Sequence, residues 1–172
     1  MDNPTKFVPQ YPQGGIFMDK TWKNRIINWV IPLAVGGLAT LLSGGTKLYQ
    51  TINQPPLSPP GWLFPIVWTV LYVLMGEASY RIFTSGADKA LIKNALIPYG
   101  IQLFLNFLWP LFFFGGQMYL TAFIILIALW IAILITTRAF SQIDEAAGDL
   151  LLPYLLWVTF AGYLNLGVFL LN

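Results

Sequence analysis

Trp68, Trp109 and Trp157 stand well inside long apolar stretches, each within helical reach of another ring, and Trp109 within reach of two side-chain amides as well. Gln102, Asn106, Trp109 and Phe113 fall at i, i+4, i+7 and i+11, on one face of a helix. Phe64, Trp68, Tyr72, Met75 and Ser79 form a second stripe, and Tyr154, Trp157, Ala161 and Leu164 a third. Two amides turned toward lipid would be costly, so the face with Gln102 and Asn106 should look inward. Flat aromatic walls with a few amides suit a flat, largely apolar ligand, whose stacking and edge contacts contribute roughly 0.5–1.5 kcal/mol per pair beyond area burial. A porphyrin or another polycycle meets that description better than an ion or a sugar. Taken singly, each tryptophan also fits packing or interface anchoring, and the two amides also fit hydrogen-bonded glue between helices. The three stripes together point to a pocket.

Membrane-depth helices must position these stripes. The 172 residues are 57% hydrophobic and only 9% charged, with a mean hydropathy of +0.68, which excludes an ordinary soluble domain. Each crossing needs roughly 20 residues, and the sequence divides into five spans at Ile26–Leu42, Trp62–Ile82, Ala95–Phe114, Met118–Thr137 and Leu150–Leu171. The expected architecture is a single all-α, five-helix transmembrane domain over residues 26–172. Residues 1–25 read as a polar tail, with an interfacial piece around Trp22 and Trp29, and do not resemble a signal peptide. Gly115–Gly116 leaves so tight a turn that spans three and four should be antiparallel neighbours.

Several chemistries are excluded by composition. With no cysteine and no histidine, the chain has no disulfide framework, no thiol nucleophile, no Ser-His-Asp triad and no Cys/His metal site; only Met or Tyr would be left as haem ligands. No metal site and no required cofactor are expected, and a net charge of +2 does not point to nucleic acid. Within the spans Glu77 is the acidic residue, four positions before Arg81. An i,i+4 surface pair is its plain reading, because a proton relay needs further ionisable partners. Internal repeats of the secondary-transporter kind are not apparent.

Eight of the nine lysines and arginines fall on one side of the expected bundle, with Lys47 alone on the other. The positive-inside rule then places the N-terminus in the cytoplasm and the C-terminus outside, in what is expected to be a bacterial cytoplasmic membrane. On the far side, Gln54–Gly61 reads QPPLSPPG, whose prolines fix φ and stiffen the connection. Such a segment is either a rigid strap between helices or a lid over a pocket mouth.

Three segments carry a family resemblance: PPLSPPGWLFPIVWTVLYVLMGEASY at 55–80, QLFLNFLWPLFFF at 102–114 and LLPYLLWVTFAGYLNLGVFLLN at 151–172. In order and spacing they resemble the TspO/MBR family, the tryptophan-rich sensory proteins and translocator proteins, over about residues 30–172. The resemblance implies a five-helix bundle, often a homodimer, whose pocket opens toward the first loop and takes porphyrins, sterols or other apolar polycycles. It implies a lining of Phe64, Val67, Trp68, Asn106, Trp109, Leu120, Trp157, Ala161 and Leu164. Some bacterial members degrade protoporphyrin IX in light, which implies catalytic roles for Trp68 and Trp157. The expected function is thus porphyrin binding that moderates tetrapyrrole levels or oxidative stress; the alternatives are a sensor or a carrier of lipid, sterol-like or tetrapyrrole ligands. The chain departs from the family pattern at Leu57, where the family's loop carries tryptophan, and at Leu120, where some members carry another. Nothing basic follows Tyr163, so the weak sterol motif of animal members is absent.

Overall fold

A computed structural model describes residues 20–44, 49 and 51–172; positions 1–19 of the expected tail and Lys47 lie outside the described residues. The helices are α1 (Lys20–Leu42), α2 (Leu63–Phe83), α3 (Lys89–Pro110), α4 (Tyr119–Ser141), the short α5 (Glu145–Asp149) and α6 (Leu152–Leu171), and α3 runs on into a π-helical turn, Leu111–Gly115. Among the described residues five helices are long and apolar enough to cross a membrane, as expected from the hydropathy.

Helix ends differ from the expected spans where polar partners extend them. α1 begins at Lys20, so Trp22 and Trp29 belong to the first helix and not to a separate interfacial piece. Arg25 makes this extension possible, because its guanidinium meets the Glu77 carboxylate at 2.9 Å and 2.5 Å, while Trp29 Nε1 donates to the same carboxylate at 3.0 Å. Arg81 pairs with Asp144 instead, at 2.9 Å and 3.2 Å. The i,i+4 pair expected between Glu77 and Arg81 is therefore not formed; both residues join separate elements. α3 starts six residues earlier than its apolar run, because Asp88 caps it by accepting from Ala90 N. In the same way Asp144 caps α5 by accepting from Ala147 N.

α1 packs on α2 and α3, α3 on α4, and α4 on α6, while α5 touches α2 and α4. The antiparallel pairing of the third and fourth spans follows the tight Gly115–Gly116 turn. Gly76 sets the α1–α2 approach: a Cβ there would lie 2.6 Å from Trp29 Cα, so only glycine lets these backbones touch. α2 and α6 meet through rings, Phe64 with Trp157 at 6.0 Å and Trp68 with Tyr154 at 6.1 Å between centroids.

The proline-rich loop is a strap seated on α6. Asn53 N donates to Asn172 Oδ1 and Asn172 Nδ2 donates back to Asn53 O, both at 3.0 Å. Pro55 fills the space over Gly167, and Tyr163 Oη donates to Pro56 O at 2.8 Å. Leu57 turns the strap with φ 65°, a left-handed conformation that costs a non-glycine residue roughly 1–2 kcal/mol, and its side chain is 84% exposed.

Candidate functional site

The ends of α1, α2 and α3 nearest the proline-rich loop enclose a cavity of about 270 Å³, open on one side. From α2 come Phe64, Pro65, Trp68, Thr69 and Tyr72; from α3 and its π turn come Asn106, Trp109, Pro110 and Phe114; α1 supplies Leu33, Gly36, Gly37 and Thr40. Spacing explains each set. Phe64, Trp68 and Tyr72 repeat every four residues along α2, and Leu33, Gly36, Gly37 and Thr40 follow the three-to-four rhythm of α1. Pro110 ends the α-helical ladder of α3, and the wider π turn brings Phe113 and Phe114 against Trp109, with centroids at 5.1 Å and 5.7 Å.

Most of the polar atoms around the cavity are already engaged. Tyr72 Oη donates to Asn106 Oδ1 at 3.0 Å, and Asn106 Nδ2 donates to Tyr154 Oη at 2.7 Å. Trp109 Nε1 donates to Asn165 Oδ1 at 2.9 Å, and Asn165 Nδ2 donates to Tyr119 O at 2.8 Å, which pins the Trp109 ring. The hydroxyls of Thr40 and Thr69 donate back to Gly36 O and Pro65 O of their own helices, at 2.9 Å and 2.7 Å. Trp68 stacks on Tyr72 at 5.5 Å with 29° between planes. The Tyr72 ring lies so close over Gly36 that any Cβ there would overlap it. Among the described residues no charged side chain lines the cavity. A guest in this space is recognised by shape and ring contact, with few hydrogen bonds to gain.

The structure brings Phe64, Trp68, Asn106 and Trp109 around this one cavity. Val67 and Trp157 instead line a shallow apolar groove between α2 and α6, with Leu71 and Phe160. The two tryptophans singled out by resemblance therefore stand on opposite sides of Phe64, whose ring meets Trp157 edge-on at 6.0 Å. Ala161 and Leu164 are closed into the core. Leu120 is 48% exposed and lines a separate depression beside Thr51, Tyr119 and Asn172. The signal for the contribution of α1 is the stripe Leu33, Gly36, Thr40, which is only weakly amphipathic. Gln102 faces inward as expected and is 0% exposed, yet neither of its amide atoms has a hydrogen-bond partner among the described residues.

Comparison with known proteins gives these residues a context. The TspO/MBR family profile matches residues 28–171. The chain is 41% identical over 124 residues to the tryptophan-rich protein TspO of Chlorobaculum tepidum, covering 72% of this chain and 78% of that one. It is 32% identical over 146 residues to protein CrtK of Rhodobacter capsulatus, covering 85% and 91%. It is 35% identical over 124 residues to the human translocator protein, covering 70% and 72%. With five membrane-length helices and this match across the bundle, the chain is an integral, multi-pass membrane protein that belongs to the TspO/MBR family.

Proposed function

We propose that this protein binds porphyrins, protoporphyrin IX first among them, and similar flat polycycles, with one edge of the ring system in the α1–α2–α3 cavity. The observation that carries this reading is the Trp68–Tyr72 stack facing Trp109 in a cavity whose amide and hydroxyls are already satisfied. At about 270 Å³ the cavity lies just below the roughly 300–1,000 Å³ of pockets that swallow a drug-sized ligand. A macrocycle thus enters edge-first and leaves its far side at the open mouth. Trp68 Nε1 makes no hydrogen bond to any described residue and is the donor within reach of a carboxylate or carbonyl on such a guest.

The proposed activity moderates tetrapyrrole levels by light-dependent degradation: the excited macrocycle and dioxygen oxidise a neighbouring indole, and the resulting radical attacks the macrocycle. Trp68 is placed to act first, since it lines the cavity; Trp157 reaches a guest only past Phe64. Protoporphyrin IX titrated into the purified protein tests both parts, by tryptophan quenching in the dark and by loss of the Soret band under light. Saturable quenching with protein-dependent bleaching is expected, slowed more by Trp68→Phe than by Trp157→Phe. Saturable quenching without bleaching favours the second reading, a non-catalytic sensor or carrier, which the engaged polar atoms of the cavity also suit. The proposed setting is a bacterial cytoplasmic membrane with the α2–α3 turn on the cytoplasmic side, supported by the bias of eight of nine lysines and arginines.

A further inference from the structure

At the opposite end of the bundle from the cavity, the end of α2 and the first turns of α3 form an open groove of about 780 Å³. Phe83, Ile92, Leu96 and Ile97 give it an apolar floor, and Lys89 and Lys93 stand at its edge. Phe83 is the last residue of α2 and Lys89 the first of α3, so the groove begins at headgroup level and runs toward the acyl region. Both lysines are exposed. Among the described residues the ion pairs join Arg25 to Glu77 and Arg81 to Asp144, and neither lysine takes part. The adjacent acid, Asp88, has one carboxylate oxygen committed to Ala90 N at 2.8 Å. Two lysines at i and i+4 on one helix face repel each other, and cations in a first turn gain nothing from the helix dipole. Their placement is thus unfavourable for the helix alone and complementary to an anion.

We propose that this groove binds an anionic phospholipid of the leaflet that holds the α2–α3 turn. Its phosphate sits between Lys89 and Lys93, and an acyl chain lies along Phe83, Ile92, Leu96 and Ile97. The apolar floor is what selects a lipid over a soluble phosphate, and the unpaired lysines are what select an anionic lipid over a zwitterionic one. The site is independent of the porphyrin reading.

Native mass spectrometry of the full chain, released from micelles holding equal amounts of dioleoyl phosphatidylglycerol and dioleoyl phosphatidylcholine, tests it. Retention of phosphatidylglycerol over phosphatidylcholine by about thirtyfold is expected, the share two near-surface lysines contribute. The preference should vanish in Lys89→Gln/Lys93→Gln and persist in Arg138→Gln, which removes an exposed cation elsewhere at the same end. Equal retention of both lipids by the unaltered protein, or an undiminished preference in the double variant, would overturn the site. So would loss of preference in Arg138→Gln, which would assign it to bulk charge, or displacement by excess glycerol 3-phosphate, which would assign the lysines to a soluble anion.

Discussion

Asn106 and Gln102 are one helical turn apart on the same buried face of α3, and their side chains have opposite circumstances. Asn106 is 2% exposed and joins Tyr72 to Tyr154 through both amide atoms, whereas Gln102 is equally buried with neither atom paired to any described residue. Interhelical hydrogen bonds in membranes average only ~0.6 kcal/mol, but stranding a buried polar group costs ~1–3 kcal/mol, so stranded hydroxyls dominate. Asn106→Leu strands two tyrosine hydroxyls and should lower stability by roughly 2–6 kcal/mol, seen as a marked fall in melting temperature in detergent. Gln102→Leu strands nothing and should leave the melting temperature level or raised; a fall comparable to that of Asn106→Leu would mean that the Gln102 amide is bonded after all. That both amides turn inward was legible from the sequence, because lipid accepts neither. Which of them is bonded was not, since that depends on rings from α2 and α6 that the α3 sequence does not contain. The placement of Phe64, Trp68, Asn106 and Trp109 at one cavity was likewise readable from helical stripes, while the separation of Trp157 from Trp68 depends on the way α2 and α6 meet, through Phe64.

At the scale of elements, polar links between helices supply what apolar periodicity cannot. Arg81 at the end of α2 holds Asp144, the residue that caps α5 and so fixes the turn between α4 and α6. The Arg81 guanidinium keeps the Asp144 carboxyl below its ordinary value of 3.8. A carboxyl depressed in the folded state binds its proton more readily when unfolded, so its stabilising effect is complete above the ordinary aspartate range and is lost as pH falls through the depressed value. Because the pair is only partly buried and solvent screens it, its worth is at most ~1 kcal/mol. Melting temperature measured from pH 6 downward should therefore fall more in the unaltered protein than in Arg81→Gln, and the two curves should converge in acid. Parallel curves would show that the pair contributes nothing to the α2–α5 junction. The sequence showed Arg81 near Glu77 and suggested a local pair, since only local spacing is visible in one chain. The long-range partners Arg25 and Asp144 become visible only once α1 and α5 lie beside α2. The proline-rich segment, by contrast, was stiff on sequence grounds alone, and it seats on α6 over the small Gly167 and through hydrogen bonds from Tyr163 and Asn172.

For the molecule as a whole, hydropathy fixes five crossings, and the odd number places the two ends of α1–α6 on opposite faces of the membrane. The ring of helices closes through backbone contact along α2–α1–α3–α4–α6 and through aromatic side chains between α6 and α2. The cavity and the proline-rich strap lie at one end, and the turn with Lys89 and Lys93 at the other. Eight of nine lysines and arginines favour a cytoplasmic location for that second end, a bias that sets orientation when it lies in short connections. The native chain has no cysteine, so a single introduced thiol reports its own compartment without background. Leu57→Cys keeps a fully exposed side chain on the strap and retains the same backbone conformation; Gln142→Cys, just beyond α4, is exposed at the far end. In intact bacterial cells a membrane-impermeant maleimide should label Leu57→Cys and should reach Gln142→Cys only after lysis. The reverse pattern would put the cavity mouth at the cytoplasmic end and would separate the lysine groove from the anionic inner leaflet. Labelling of both thiols in intact cells would contradict the three crossings, α2, α3 and α4, that lie between them, and with them the five-span topology on which the placement of cavity and groove at opposite faces depends.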